Sequence, residues 1–357
     1  MDVVNQAEKI LYFEGEPRWE VKFLRRAVSE DDNLQVVVLQ RTAESKFLRL
    51  DVDDAEELAA GFPRTREELF RYRALILGSV EASFFTHDQL DMISDFVSRR
   101  GGGLLVLGGR NAFAEGSYQG TRLAEALPIF MDDELSTGAG PYFGELFITP
   151  TRAGLTHPTT QLGEDNSDAV RERWMSLPPV TTLNPITRLK PGATGLLTGG
   201  PEEDRDRQVV LAYHRYGRGK VMALPIQDSW IWQMHADISL EDQTHETFWR
   251  QLLRWLTDGV PDQIGVQSER EVVEPGQPVK LAVEVGDSAY AELNNANVVA
   301  VVHAPSGDSL TVPLDWDVEQ DGHYDGEFPT SGPGLYEVSV HATRAGDTIG
   351  TAITYVN

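Results

Sequence analysis

Four clusters of polar residues carry the chemistry this sequence can offer. Glu14, Glu16 and Arg18 share the stretch Glu14-Gly15-Glu16-Pro17-Arg18, Ser79 follows Gly78, Gly108, Gly109, Arg110 and Asn111 are consecutive, and Asp228 and Trp230 lie in Gln227-Asp228-Ser229-Trp230. Carboxylates can divide acid and base roles, and a serine hydroxyl becomes a nucleophile when a base takes its proton. Arginine and the backbone N–H groups that glycine uncovers can hold an anion, and a tryptophan face can stack on a sugar or a peptide. Ser117 lies further along from the double glycine. The ligand-binding candidates are therefore Glu14, Glu16, Arg18, Ser79, Gly108, Gly109, Arg110, Asn111, Ser117, Asp228 and Trp230; none is assigned a catalytic role, and no metal or cofactor is expected. A structural role competes at each position, because glycines make tight turns and Glu16, Arg18, Arg110 and Asp228 can pair to hold the loops.

Each cluster follows a short apolar run: Ile10 to Phe13, Ala74 to Leu77, Leu104 to Leu107 and Val221 to Ile226. In an open α/β sheet, ligands collect beyond the carboxyl ends of parallel strands, so such a sheet would bring all four clusters to one edge. A further run, Leu34 to Leu39, and two helical patterns fit the same architecture. Trp19, Phe23, Leu24 and Ala27 fall at helical spacing, and Thr86 with Gln89 forms a capping box ahead of Leu90, Ile93, Phe96 and Val97. The region from Gln40 to Tyr72 reads as loop with short helical pieces. We expect an α/β domain with a doubly wound, mainly parallel sheet and an antiparallel extension from Tyr142–Ile148, Thr181–Leu189, Gly195–Thr198 and Gln208–Tyr213. Lys220–Leu224 returns to the main sheet and a helix over Glu241–Trp255 closes the domain.

Gly259-Val260-Pro261 marks a boundary, dividing the chain into 1–260 and 261–357. Beyond it, strands are expected at Glu271–Val273, Val279–Val285, Asn297–His303, Ser309–Leu314, His323–Pro329 and Gly334–Ala342. Their even spacing predicts a C-terminal all-β immunoglobulin-like sandwich without a disulfide. Asp315, Asp317, Asp321 and Asp325 lack the glycine and glutamate positions of an EF-hand, so a hairpin turn is expected there.

Composition narrows the function classes. The 357 residues carry a net charge of -25, which argues against a nucleic-acid partner and against direct contact with anionic membranes. From Asp262 onward, 16 acidic residues face Arg270, Lys280 and Arg344, a net of -13. With no cysteine, a thiol nucleophile, a disulfide and a thiolate metal site are all excluded. The N-terminal MDVVNQAEK has no signal-peptide pattern and no apolar run approaches a membrane span, so the chain reads as a soluble segment. Its compartment is open, and it could be cut from a longer, membrane-anchored product.

The ordered motifs LYFEGEPRWEVKFLRRAV, ALILGSV, FVSRRGGGLLVLGGRNAFAEGSYQGTRLAEALPIF, YGRGKVMALPIQDSWIWQM and HETFWRQLLRWL resemble the class I glutamine-amidotransferase-like domain of large bacterial membrane proteins. There the domain commonly accompanies a von Willebrand factor A-like domain and membrane helices. The resemblance spans about residues 8 to 258 and implies a flavodoxin-like, amidotransferase-like sheet; DGHYDGEFPTSGPGLYEVSVHA resembles the last strands of extracellular immunoglobulin-like modules. True members of the amidotransferase group place a cysteine on the turn after a strand, activated by a His-Glu pair. At the matching turn this chain has Gly108-Gly109-Arg110.

Other motifs weigh less. His245 and Glu246 point about 100° apart on a helix and form no dyad by helix geometry, so solvated or packing roles are expected. His235 with Asp237 makes only two metal ligands. Trp230 and Trp232 read as a cover over the core, or as a recognition platform. GGGLLVLGG places its first glycines before the strand, so it is no dinucleotide fingerprint. The expected function is a non-catalytic binding or assembly module of an envelope-associated protein, with other domains or subunits as partners and a small polar ligand. The rivals are a hydrolase of amide, ester or glycosidic bonds using Glu16, Asp228 or Ser117, and a carbohydrate-binding protein acting through Trp230 and Trp232.

Overall fold

The computed structural model describes residues 7–131, 142–163, 166–186, 188–201, 207–270, 272–274 and 276–357. The chain divides into two compact units, Met1–Val260 and Pro261–Asn357.

In the first unit the apolar runs become β1 (Glu8–Glu14), β2 (Leu34–Ala43), β4 (Ala74–Leu77), β5 (Gly103–Leu107) and β10 (Gly219–Leu224). These five are mutually parallel, in the order β2-β1-β4-β5-β10. The register sets Phe13 opposite Leu77, Leu77 opposite Val106, and Leu107 opposite Leu224, so four strands end at nearly one level. Helix α1 (Trp19–Val28) carries the chain from β1 to β2, and α2 (Arg66–Phe70) precedes β4. Helix α3 (His87–Ser98) links β4 to β5. The capping box that starts it is formed: the Gln89 N–H donates to Thr86 Oγ1 at 3.2 Å and the Thr86 N–H to Gln89 Oε1 at 3.1 Å.

The other strands are β3 (Lys46–Leu50), β6 (Tyr142–Pro150), β7 (Val180–Leu183), β8 (Thr194–Gly200) and β9 (Gln208–Tyr216), and all pair antiparallel. The ten-stranded order is β3-β2-β1-β4-β5-β10-β9-β8-β6-β7, with four parallel and five antiparallel pairs. This overturns the doubly wound, mainly parallel α/β reading, flavodoxin-like or amidotransferase-like: the sheet is mixed and its antiparallel half is the larger. A strand covered on both faces reads as an apolar run in either orientation, and only its connections reveal its direction. β3 is a second correction, because Gln40 to Tyr72 holds a strand hairpinned to β2 rather than loop alone. Helices α4 (Arg122–Ala126), α5 (Ser167–Met175), α6 (Ile231–Met234) and α7 (Thr244–Thr257) complete the unit. Trp174, Trp232 and Phe248 meet edge to face in its core, with ring centroids 5.5 to 5.6 Å apart.

In the second unit β11 (Ile264–Ser268), β12 (Pro278–Val285), β13 (Asn297–His303), β14 (Ser309–Trp316), β15 (His323–Pro329), β16 (Tyr336–Arg344) and β17 (Asp347–Val356) form one antiparallel sheet, ordered β11-β12-β15-β14-β13-β16-β17. The expected immunoglobulin-like sandwich is overturned. Two separate sheets would require a break between the halves, but β14 pairs with β13 along its length and with β15 at Asp315 and Trp316. The sheet curls almost into a barrel: the Val273 N–H donates to the Asn357 carbonyl at 2.8 Å, and Gly350 of β17 packs against the Ile264 side chain of β11. Both β11 and β17 lie outside the expected strands. Val272 and Val273 are not in a strand, and Glu271 lies outside the described residues. Alternation supplies the core, with Val279, Leu281, Val283 and Val285 inward and Pro278, Lys280, Ala282 and Glu284 exposed.

Among the described residues, no helix is long and apolar enough to cross a membrane.

Candidate functional site

The level ends of β1, β4, β5 and β10 bring most of the candidate residues to one edge, where protein groups occupy them. Glu14, the last residue of β1, is fully buried. Its Oε2 accepts from the Tyr12 hydroxyl at 2.8 Å and from Arg18 Nε and Nη2 at 3.0 and 2.6 Å; its Oε1 accepts from the N–H groups of Ser79 at 2.9 Å and Glu16 at 3.4 Å. Arg18 also donates from Nη1 to the Gly108 carbonyl at 2.6 Å. Burial works against the Arg18 charge, but the adjacent Glu14 carboxylate outweighs it and raises the guanidinium above its ordinary pKa. One carboxylate and one guanidinium thus tie together the loops after β1, β4 and β5. The arginine pairs with Glu14, not with Glu16 or Asp228.

The turn after β5 is closed from within. A Cβ on Gly108 would lie 2.2 Å from the Pro225 carbonyl oxygen, and one on Gly109 would lie 2.5 Å from Ser79 Cβ. Neither position has room for a nucleophilic side chain. The Gly109 N–H donates to Asn184 Oδ1 at 2.8 Å and Asn184 Nδ2 donates back to the Gly109 carbonyl at 2.9 Å, as a strand neighbour would. Ser79 Oγ accepts from the Asn111 N–H at 3.0 Å. Asp228 accepts from the Thr181 N–H and Oγ1, both at 2.7 Å, and from Thr182 Oγ1 at 2.8 Å, which docks β7 onto the end of β10.

Fewer candidates face solvent. Arg110 and Ser117 are exposed, while Glu16, Asn111 and Trp230 are half-buried. Ser117 sits at φ 59°, in a turn closed by its N–H to the Ala114 carbonyl. Trp230 stacks on Phe23 with centroids 6.3 Å apart and planes at 23°. Trp232 is buried against Trp174 and Phe248, so the two tryptophans form no shared platform.

Beneath this edge lies a polar cluster absent from the candidate residues. Glu20 on α1, Ser229 after β10, and His245 and Trp249 on α7 are all almost completely buried. Ser229 Oγ donates to Glu20 Oε1 and lies 3.4 Å from His245 Nε2, while Trp249 Nε1 donates to both Ser229 Oγ and His245 Nε2 at 3.1 Å. The second atoms, Glu20 Oε2 and His245 Nδ1, have no hydrogen-bond partner among the described residues. Burial raises the Glu20 carboxyl from 4.5 to about 7, and burial, aided by Arg26, lowers the His245 imidazole from 6.5 to about 3. The cluster contains serine, histidine and a carboxyl group, but the carboxyl contacts the serine rather than the imidazole, and Ser229 is sealed from solvent. The sequence signals were present: the i, i+4 pair His245 and Trp249 on one helix face, and Glu20 in the first turn after β1.

Glu246 does turn away from His245, as helix geometry requires, and takes a hydrogen bond from Gln233. Both residues are buried, which corrects the solvated alternative. Asp317 and Asp321 serve a hairpin, accepting from the Glu319 N–H and from Asn294 Nδ2, and no group of metal-binding side chains occurs among the described residues.

No family model matches the chain, and no curated protein matches it. Among solved structures it is similar to two cytoplasmic proteins of Salmonella typhimurium, at 18% and 20% identity. The matches cover 70% of this chain and 98% and 99% of theirs, each with a TM-score of 0.48. It is also similar to an exo-β-1,4-mannosidase of Opitutaceae bacterium strain TAV5, at 12% identity over 70% of this chain and 36% of the enzyme, with a TM-score of 0.36. At these values the likenesses assign nothing to this chain.

Proposed function

We propose that the first unit is a non-catalytic binding or assembly module whose contact surface is the loop edge beyond β1, β4, β5 and β10. It would belong to a larger, envelope-associated bacterial protein and present this edge to other domains, subunits or a small polar ligand. The observation that carries the reading is the closed turn at Gly108-Gly109: where the amidotransferase resemblance requires a nucleophile, a Cβ at either position would collide with protein atoms. The buried candidates Glu14, Ser79 and Asp228 support it too, because their polar atoms already bind protein groups.

The test is a panel of generic ester, amide and glycoside substrates, run on the full chain and on Glu16→Ala and Ser117→Ala variants, which alter side chains with room to change. No turnover above background is expected. Turnover lost with either substitution would overturn the module reading in favour of a hydrolase. Fractionation of source cells addresses the location, with the protein expected in the envelope fraction and its recovery from the cytosol contradicting that assignment.

A further inference from the structure

Helix α1 turns two different faces outward and inward. Inward are Glu20, Val21, Phe23, Leu24, Ala27 and Val28; outward, at i, i+3 and i+7, are Trp19, Lys22 and Arg26. Trp19 is 59% exposed although it opens a helix whose other large apolar residues are buried. Its ring centroid lies 6.3 Å from that of Phe23, and on another side Trp230 stacks on the same phenyl ring at the same distance. Two partly open indoles therefore flank one buried ring. The Lys22 ammonium stands 5.2 Å from the Trp19 ring centroid and 5.7 Å from that of Phe23.

The charge of this strip runs against that of the molecule. In a chain of net charge -25, Lys22 and Arg26 have no carboxylate partner among the described residues, whereas the adjacent Arg25 is paired with Asp51 at 2.8 Å. Glu20, the acidic residue nearest to Lys22 in sequence, points inward to Ser229, and Glu30, the nearest to Arg26, pairs with Arg250 at 3.6 Å. A peptide anchored by inserted side chains would need a concave apolar slot, whereas Trp19 lies on the convex outside of α1 and Trp230 lies flat against Phe23. Flat rings with adjoining cations suit a ligand that has its own flat C–H face and a carboxylate on its rim.

We propose that this strip binds an anionic glycan, whose sugar rings stack on Trp19 and Trp230 and whose carboxylates pair with Lys22 and Arg26. The proposal rests on the loop edge being a binding surface, since Trp19 follows β1 and Trp230 follows β10 at that edge, and it names the ligand class.

Oligogalacturonate, the neutral oligogalactose of equal length and poly-glutamate serve as probes, titrated into the full chain with tryptophan emission and calorimetry as readouts. Oligogalacturonate should bind at millimolar concentration or below, at least about tenfold more tightly than the neutral sugar. Trp19→Ala should weaken it by about tenfold or more, and Lys22→Gln with Arg26→Gln should do the same and flatten its salt dependence. All three side chains are exposed, so an unchanged melting temperature verifies folding of each variant. Absence of binding, or binding unchanged by these substitutions, overturns the proposal, and equal or tighter binding of poly-glutamate assigns the strip to an acidic peptide instead. Binding that survives loss of Trp19 but fails on Arg110→Ala would overturn the strip while leaving the loop edge as a contact surface. Failure of the edge reading itself is read separately, by turnover in the substrate panel.

Discussion

Glu20 and His245 place two neutral titratable groups in one buried cluster, and they pull stability in opposite directions with pH. The folded chain holds the Glu20 proton up to about pH 7, whereas the unfolded chain releases it near 4.5. Between those values the folded state binds the more protons, so stability falls as pH rises, by an amount on the order of 3 kcal/mol. For His245 the folded value is about 3 against 6.5 unfolded, so the unfolded state binds the more protons between them and stability rises with pH. The two slopes oppose each other from about pH 4.5 to 6.5. Glu20→Gln mimics the protonated carboxyl and removes only the first slope. Its stability advantage over the native chain should therefore grow from about pH 4.5 to 7 and then level, to be read from denaturant midpoints across that range. An advantage independent of pH would show that the Glu20 carboxyl titrates as it does in the unfolded chain.

The elements meet at the edge by close approach of their loops, and glycine makes that approach feasible. A Cβ on Gly15 would lie 1.9 Å from the Ser79 carbonyl oxygen, whereas Gly120, at φ +72°, has nothing within 4 Å of the same position. Gly15→Ala should cost upward of about 2 kcal/mol, because backbone must move, and Gly120→Ala about 1 kcal/mol from backbone strain alone. Thermal melts of the two variants provide the comparison, and equal losses would mean that the loops after β1 and β4 can part freely. Gly109→Cys returns a thiol to the turn that the amidotransferase resemblance marks, yet its Cβ would collide with Ser79. It should destabilise the chain and confer no glutamine hydrolysis in an ammonia-release assay. Capping is separable from packing: Thr86→Ala, which removes the acceptor for the Gln89 N–H, should cost about 1 kcal/mol.

Each compact unit has its own core, one built on the mixed sheet and the other on the inward residues of β11 to β17. Residues 261–357 expressed alone should therefore unfold cooperatively. Because that segment has 16 acidic residues against three basic ones, its melting temperature should rise with added salt as self-repulsion is screened. A fragment without a cooperative melt would show that its core depends on the rest of the chain.

Local pattern determined where most of the first unit's strands and helices form, though β3 and, in the second unit, β11 and β17 escaped it. Apolar runs mark β1, β2, β4, β5 and β10, the Thr86 capping box marks the start of α3, and the turns after β4 and after β5 carry their glycines, all readable because these signals involve neighbours in sequence. Strand direction and partnership did not follow, since a buried run looks the same in a parallel and an antiparallel neighbour. The mixed sheet, the hairpin of β3 and the near-closure of β11 on β17 were decided only by tertiary pairing. The candidate residues divide in the same way. Their convergence at one edge follows from strand ends, but whether each faces solvent or a protein partner depends on atoms far apart in the chain. Asn184 reaches Gly109 across 75 residues and Ser229 reaches Glu20 across 209. Polar residue types alone cannot reveal such pairings, because a buried carboxyl must find its donors wherever the fold brings them.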